Sequence, residues 1–303
     1  MAIVVFGSIN MDLVARVPRL PAPGETLTGR SFATVPGGKG ANQAVACARL
    51  GAATRMVGRV GDDVFGESLR RSLAGYGVEV SGVSATPGLP SGVAMIAVDD
   101  RAENTIIVVP GANGAVGSED VARLAAALDG ARALLLQLEV PIEAVVAAAQ
   151  AARGRGCLTL LDPAPVRDLP RELYALADII TPNETEAAQL VGFPVDTPTA
   201  VERAAAALQS RGVRRVVIKL GARGAYAADE AGGRIYPPFA VAAVDTVAAG
   251  DAFNGGLATA LSEGQPFDAA IRWGLAAGAI SVTRPGAQPS MPDRQELLAM
   301  LAG

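Results

Sequence analysis

The chain has 303 residues, half of them hydrophobic, a formal net charge of −4 and no histidine. That length can bury a full core, and a mildly acidic balance with no basic tract excludes nucleic acid and anionic membrane surfaces as expected partners. The missing histidines remove Ser-His-Asp chemistry, His-assisted proton transfer and imidazole zinc sites together, so acid and base work falls to Asp, Glu, Lys or Tyr.

Taken in chain order, strand-like apolar runs alternate with patterns of helical length. The N-terminal MAIVVFGSINMD has no basic leader and reads as a strand over Ile3–Phe6, with Asn10 and Asp12 just after it. Further strands are expected over Arg55–Val60, Ala133–Leu138, Cys157–Leu161, Asp178–Thr181 and Arg215–Leu220, several followed by a polar residue or glycine: Glu139, Asp162, Asn183 and Gly221. This alternation predicts an α/β fold with a mainly parallel sheet and helices on both faces. In such a sheet the ligand crevice lies beyond the carboxyl ends of the strands, so these scattered residues are expected to form one site.

Two stretches break the alternation, Val14–Val35 with its Pro and Gly, and Ser91–Val109 with the run GVAMIAVDDRAENTIIVV. They are expected as antiparallel β material forming a small lid, about 12–36 and 91–109, on one domain spanning 1–303. Surface hairpins without functional weight are the alternative. An exposed lid would need covering, which predicts a homodimer through it. Cys47 and Cys157 lie in apolar patterns far from any CxxC spacing, so two buried reduced thiols and a cytoplasmic location are expected. No segment reaches about 18 uninterrupted apolar residues, so no membrane span is expected.

Four motifs carry chemistry. PGGKGANQA at Pro36–Ala44 is not a phosphate-binding GxxxxGK[ST] loop, because Ala33 and Gly40 stand where glycine and a hydroxyl residue are required. Its glycines allow close approach of backbone N–H groups, and Lys39 and Asn42 add a cation and a two-way amide, a set suited to a polyol. A plain loop before a helix explains the glycines but not Lys39 and Asn42. NETE at Asn183–Glu186 either offers oxygen ligands to Mg²⁺ through water or is an ordinary acidic first turn. KLGARG at Lys219–Gly224 is a glycine turn after a buried strand, able to line a nucleotide or to be a simple hairpin. Finally, DTVAAGDAFNGG at Asp245–Gly256 places small residues Ala248, Ala249 and Gly250 at the start of a helix with Asp251 beside them. That layout is an anion hole with a base next to it, which points to phosphoryl transfer; a helix cap is the plainer reading.

Together, in this order, GSINMD, GGKGANQA, NETE, KLGARG and DTVAAGDAFNG resemble the ribokinase (PfkB) family of carbohydrate kinases, a likeness that continues to VTRPGAQPS and spans nearly the whole chain. The resemblance implies transfer of the ATP γ-phosphoryl group to the 5-hydroxyl of D-ribose. It implies that Asn10, Asp12, Gly38, Lys39, Asn42 and Glu139 hold the sugar and that Asp251 is the catalytic base. With a reference pKa near 3.9, Asp251 would be a weak base that takes its proton late in a loose transition state. On the nucleotide side the resemblance implies Asn183, Lys219, Gly221, Gly224, Gly250 and Leu275, with Glu186 supporting Mg²⁺ through water. It also implies a K⁺ site from Asp245, Val247, Ser281, Arg284, Gly286 and Ser290, partly through main-chain carbonyls.

Leu275 and Lys219 depart from the family pattern, where His or Asn and Thr are common. Leu275 puts a polar contact to the base in doubt, and Lys219 either meets nucleotide phosphate or turns to solvent. Other readings are a kinase for deoxyribose, a sulfonated ketose or a nucleoside, and a non-catalytic sugar-binding protein. The intact Asp251 argues against the last, and VVFGSINMD lacks the GxGxxG of a dinucleotide-binding dehydrogenase.

Overall fold

A computed structural model of the chain describes residues 2–101 and 103–303. The first strand, β1 (Ala2–Phe6), is buried on both faces and leads through Gly7, Ser8 and Ile9 into β2 (Asn10–Arg16). After β3 (Ser31–Gly37), Gly38 alone intervenes before α1 (Lys39–Arg49). There follow β4 (Ala53–Gly61), α2 (Val64–Gly75), β5 (Glu79–Thr86) and the hairpin of β6 (Gly92–Val98) and β7 (Asn104–Val109). Alternation then resumes with α3 (Ser118–Ala127), β8 (Ala131–Leu136), α4 (Ile142–Arg153), β9 (Leu158–Leu161), α5 (Arg171–Leu176) and β10 (Ile179–Ile180). Two helices, α6 (Glu184–Val191) and α7 (Pro198–Ser210), precede β11 (Arg215–Lys219), β12 (Ala225–Asp229) and β13 (Gly232–Tyr236). The chain closes with α8 (Ala249–Ser262), α9 (Phe267–Ser281) and α10 (Arg294–Ala302).

Nine strands form the large sheet in the order β13-β12-β11-β10-β9-β8-β1-β4-β5. All its pairings are parallel except those of β12 with β11 and β13. Central strands such as AIVVF and ARALLL are nearly continuous apolar runs because helices cover both of their faces. One core lies between the sheet and α1, α2, α8, α9 and α10, the other between the sheet and α3 to α7. Every strand read from the sequence is present. The sequence reading missed β5, whose EVSGVSAT lacks an apolar rhythm, and the β12–β13 hairpin at the opposite edge.

A second sheet of four strands, in the order β3-β2-β6-β7, stands apart from the first. The expected antiparallel pairing holds for β2–β3 and β6–β7, while the two middle strands, β2 and β6, run parallel. Asn10 and Asp12, read as standing just after β1, therefore lie on a strand of this small sheet, which begins two residues before the expected lid boundary at about residue 12. Apolar side chains of the small sheet are open to solvent: Phe32 on the edge strand β3, Met95 on β6, and Ile106, Ile107, Val108 and Val109 along the opposite edge strand β7 are exposed. Among the described residues no helix is long and apolar enough to cross a membrane, and Cys47 and Cys157 are both free and buried.

Candidate active site

The site is built at the start of α8. Ala248, the residue that opens this helix, has φ 58°, and among the described residues it alone adopts a left-handed backbone without being glycine. Such a conformation costs on the order of 1–3 kcal/mol and persists where the surroundings enforce it. Ala248 brings no side-chain cap, so the first-turn donors are left to other partners. Ala249 N–H turns back to Thr246 O at 3.3 Å. Among the described residues, the N–H groups of Gly250 and Asp251 have no hydrogen-bond partner outside the helix. Of the expected Ala248–Gly250 donors, Ala249 is thus committed to Thr246, whereas among the described residues Ala248 and Gly250, like Asp251, have N–H groups without such a partner.

Asp251 is 5% exposed and held from both sides by amides of α1: Asn42 Nδ2 donates to Oδ2 at 3.0 Å and Gln43 Nε2 to Oδ1 at 3.1 Å. Burial raises its pKa to about 6, aided by Asp162 and opposed by Lys39 and the two amides. The carboxylate is therefore a stronger base than its reference value implies. Proton acceptance requires the ionised form, so kcat/KM for the acceptor is expected to fall about tenfold per pH unit below pH 6 and to level off above it, as a pH–rate profile would record. A profile flat down to pH 4.5 would contradict the assignment.

The residues read as sugar ligands surround this carboxylate. Asn10 is buried, and its Oδ1 accepts from Asn113 Nδ2 at 2.7 Å. The pKa of Asp12 is pushed up to about 7, first by burial and then by the Glu139 and Asp251 charges. Glu139 Oε2 accepts from Ser8 Oγ at 2.5 Å and from Lys39 N at 3.0 Å. Burial disfavours the Lys39 ammonium, yet Asp251, Asp162, Glu139 and Glu186 together raise its pKa above the ordinary lysine value, so it stays charged. Gly38 has φ 89°, and a methyl placed there would meet the backbone N of Asn10 at 2.7 Å. Asn42 Oδ1 is buried without a partner, an acceptor that a hydroxyl of a polar ligand would satisfy.

On the other flank, Asn183 and Glu186 form a reciprocal capping box on α6: Asn183 Oδ1 accepts Glu186 N at 2.8 Å, and Glu186 Oε2 accepts Asn183 N at 2.7 Å. Among the described residues Glu186 Oε1 has no such partner, and burial raises this carboxyl's pKa. Gly221 and Gly224, both at positive φ, bound a single tight turn after β11. Lys219 does not turn to solvent: its ammonium pairs with Asp162 Oδ1 at 3.0 Å. Leu275 is buried on α9 within the core.

The expected cation residues converge as well. Asp245 accepts N–H from Val247 at 3.0 Å and from Gly286 at 2.9 Å, tying the loop before α8 to the one after α9. Arg284 occupies the Ser290 carbonyl at 3.0 Å, while Ser290 Oγ and Ser281 Oγ donate to the carbonyls of Ala287 and Gly278 and keep their lone pairs.

The sequence profile of the pfkB family carbohydrate kinases matches residues 2–294. The chain belongs to the pfkB family. It is 44% identical over 297 residues to the ribokinase of Haemophilus influenzae, covering 98% of this chain and 97% of that protein. With the deoxyribokinase of Salmonella typhi it shares 37% identity over 297 residues, again covering 98% and 97%. The structure of Arabidopsis thaliana ribokinase complexed with ribose and ATP superposes with a TM-score of 0.93 at 34% identity and full coverage of both chains.

Sequence reasoning missed Gln43, Ser8 and Asn113, and placed Asp162 among the strand-end residues of the site without a role of its own. Gln43 bonds Asp162 Oδ2 at 3.0 Å as well as Asp251, partners 119 and 208 residues away in the chain. Its place beside Asn42 was the only local hint.

Proposed function

We propose that the chain transfers the γ-phosphoryl group of ATP to the 5-hydroxyl of D-ribose, giving D-ribose 5-phosphate and ADP. The observation that carries this reading is Asp251: a buried carboxylate clamped by two amides, one residue from uncommitted N–H donors and bordered by Asn10, Asp12, Lys39, Asn42 and Glu139. The H. influenzae and A. thaliana relatives named as ribokinases support the substrate.

In this reading the sugar hydroxyls pair with Asp12, Asn10, Asn42, Glu139, Lys39 and the backbone at Gly38. An acceptor lacking one hydroxyl leaves a buried group unpaired and is rejected. Asp251 orients the 5-hydroxyl and accepts its proton. The N–H groups of Gly250 and Asp251 face the charge that develops on the phosphoryl oxygens. The turn at Gly221–Gly224, with Asn183 and Leu275, forms the nucleotide side.

Mg²⁺ and K⁺ both suit the donors present. Glu186 Oε1 has no partner for its lone pairs and can hold a water of Mg²⁺, which neutralises phosphate charge when bound. One carboxylate at Asp245 with hydroxyl and carbonyl oxygens from Val247, Ser281, Arg284, Gly286 and Ser290 suits a monovalent cation. Asp245 already joins the two loops, so a cation there would stiffen the loop that sets the first turn of α8.

The small sheet serves as the lid, and its exposed Ile106–Val109 strand suits a homodimer. Ile107→Lys is expected to convert dimer to monomer by light scattering; an unchanged mass would remove that interface. Two buried thiols in a chain without disulfides suit a cytoplasmic enzyme.

The deciding experiment is an ADP-release assay over D-ribose, 2-deoxyribose, other pentoses, ketoses and nucleosides, with and without K⁺. D-ribose is expected to have the highest kcat/KM, with stimulation by K⁺. A higher value for 2-deoxyribose or a nucleoside would overturn the substrate assignment.

A further inference from the structure

Lys219 ends β11 and Asp162 follows β9, and the short β10 lies between these strands. The carboxylate is 3% exposed. One of its oxygens accepts from Lys219 Nζ at 3.0 Å and the other from Gln43 Nε2 at 3.0 Å. A methyl built on Gly250 would lie 3.2 Å from the same Lys219 Nζ. The ammonium is therefore suspended between a buried carboxylate and the first turn of α8.

Electrostatics makes this an unusual place for a cation. A helix N-terminus carries roughly half a positive charge, so an ammonium beside it is repelled unless an anion lies close by. Asp162 supplies one anion but takes one of the three ammonium donors. The ammonium lies beside Gly250, whose N–H, like that of Asp251, has no partner outside the helix among the described residues. An anion bound at this first turn would offer oxygens to the helix terminus and to the remaining ammonium donors.

We propose that Lys219 is a catalytic cation that touches the phosphoryl group in transit, and that Asp162 is the positioning residue that holds its ammonium there. This rests on the phosphoryl-transfer reading above. In the step, the acceptor oxygen bonds to the γ-phosphorus as the bond from that phosphorus to the β,γ-bridging oxygen breaks. The bonding pair leaves with ADP and the hydroxyl proton passes to Asp251. Lys219 compensates charge on the phosphoryl oxygens without exchanging a proton. Through Gln43, which bonds both Asp162 and Asp251, the same ion pair also fixes the orientation of the base.

The alternative is that Lys219 only balances the buried Asp162 charge, and a double-variant cycle separates the two. Lys219→Met is expected to lower kcat about 10²-fold with the ribose KM within about threefold of the parent, the size of effect typical of losing one charge-stabilising donor. Asp162→Asn is expected to lower kcat about tenfold, and the double variant to be no faster than Lys219→Met. Recovery of the double variant to within about threefold of the parent would mean charge balance alone and would overturn the proposal. So would a Lys219→Met kcat within about threefold of the parent. Ribose binding by calorimetry and a thermal melt accompany each variant, and Lys219→Gln replaces Lys219→Met if the latter fails to fold. A parent inactive on every sugar would remove the functional reading and this proposal together, whereas an active parent with an unaffected Lys219→Met removes the proposal alone.

Discussion

Asp251→Asn is expected to lower kcat by roughly 10²-fold or more while leaving ribose affinity within a few-fold of the parent. The amide keeps the volume of the carboxylate and can still bond Asn42 and Gln43 after those side chains rotate, so the pocket survives. What it cannot do is accept a proton. The effect should appear in kcat rather than in KM, because the lost interaction matures only as the hydroxyl gives up its proton. Steady-state kinetics with ribose titration calorimetry provide the check, and equal turnover by parent and variant would refute the base assignment. The acid limb set by Asp251, whose pKa burial raises to about 6, should also vanish from the residual activity of the variant.

Gly255→Ala is expected to give the second large effect, from a position that touches no substrate. Gly255 faces α1, and an added methyl would meet Ala46 Cβ at 2.4 Å and the backbone at Ala46 and Cys47 at 3.2 Å. Exchange of Gly for Ala in a helix is ordinarily worth about 1 kcal/mol in favour of Ala. Overpacking against backbone that cannot swing aside costs about 1–3 kcal/mol, so the net effect is a loss of stability. Relief requires α8 and α1 to move apart, and these two helices carry Asp251 on one side and Asn42 and Gln43 on the other. A displacement approaching 1 Å at a reacting group costs about 10²-fold in rate. The variant should therefore melt earlier and turn over about ten- to a hundredfold more slowly. A raised melting temperature with full activity would show that the helices are not in tight contact at this point.

The parts of this molecule that were legible in the sequence are those governed by local pattern. Runs such as AIVVF and ARALLL announce buried parallel strands because both of their faces are covered. The glycines of GGKG mark close backbone approaches: a methyl on Gly38 or on Gly40 would meet the backbone N of Asn10 or of Ser8 at 2.7 Å. β5 escaped because an edge strand needs only one covered face, and EVSGVSAT mixes small and polar residues. The basicity of Asp251 was not legible either, since its raised pKa comes from burial and from Asp162 against the opposing pull of Lys39, Asn42 and Gln43, all distant in sequence. Nor was the partner of Lys219: a lysine at the end of a strand leaves nucleotide phosphate and solvent both open until the carboxylate beyond β9 is placed beside it.

The connection from β1 to β2 is only Gly7, Ser8 and Ile9, and that from β3 to α1 only Gly38. Both junctions sit at the proposed acceptor site: Asn10 and Asp12 ride on the small sheet, and Gly38, Lys39 and Asn42 stand at its root. Any swing of the small sheet would carry Asn10 and Asp12 with it. Under the proposed assignment, capture of the acceptor and closure of the sheet would be one mechanical event.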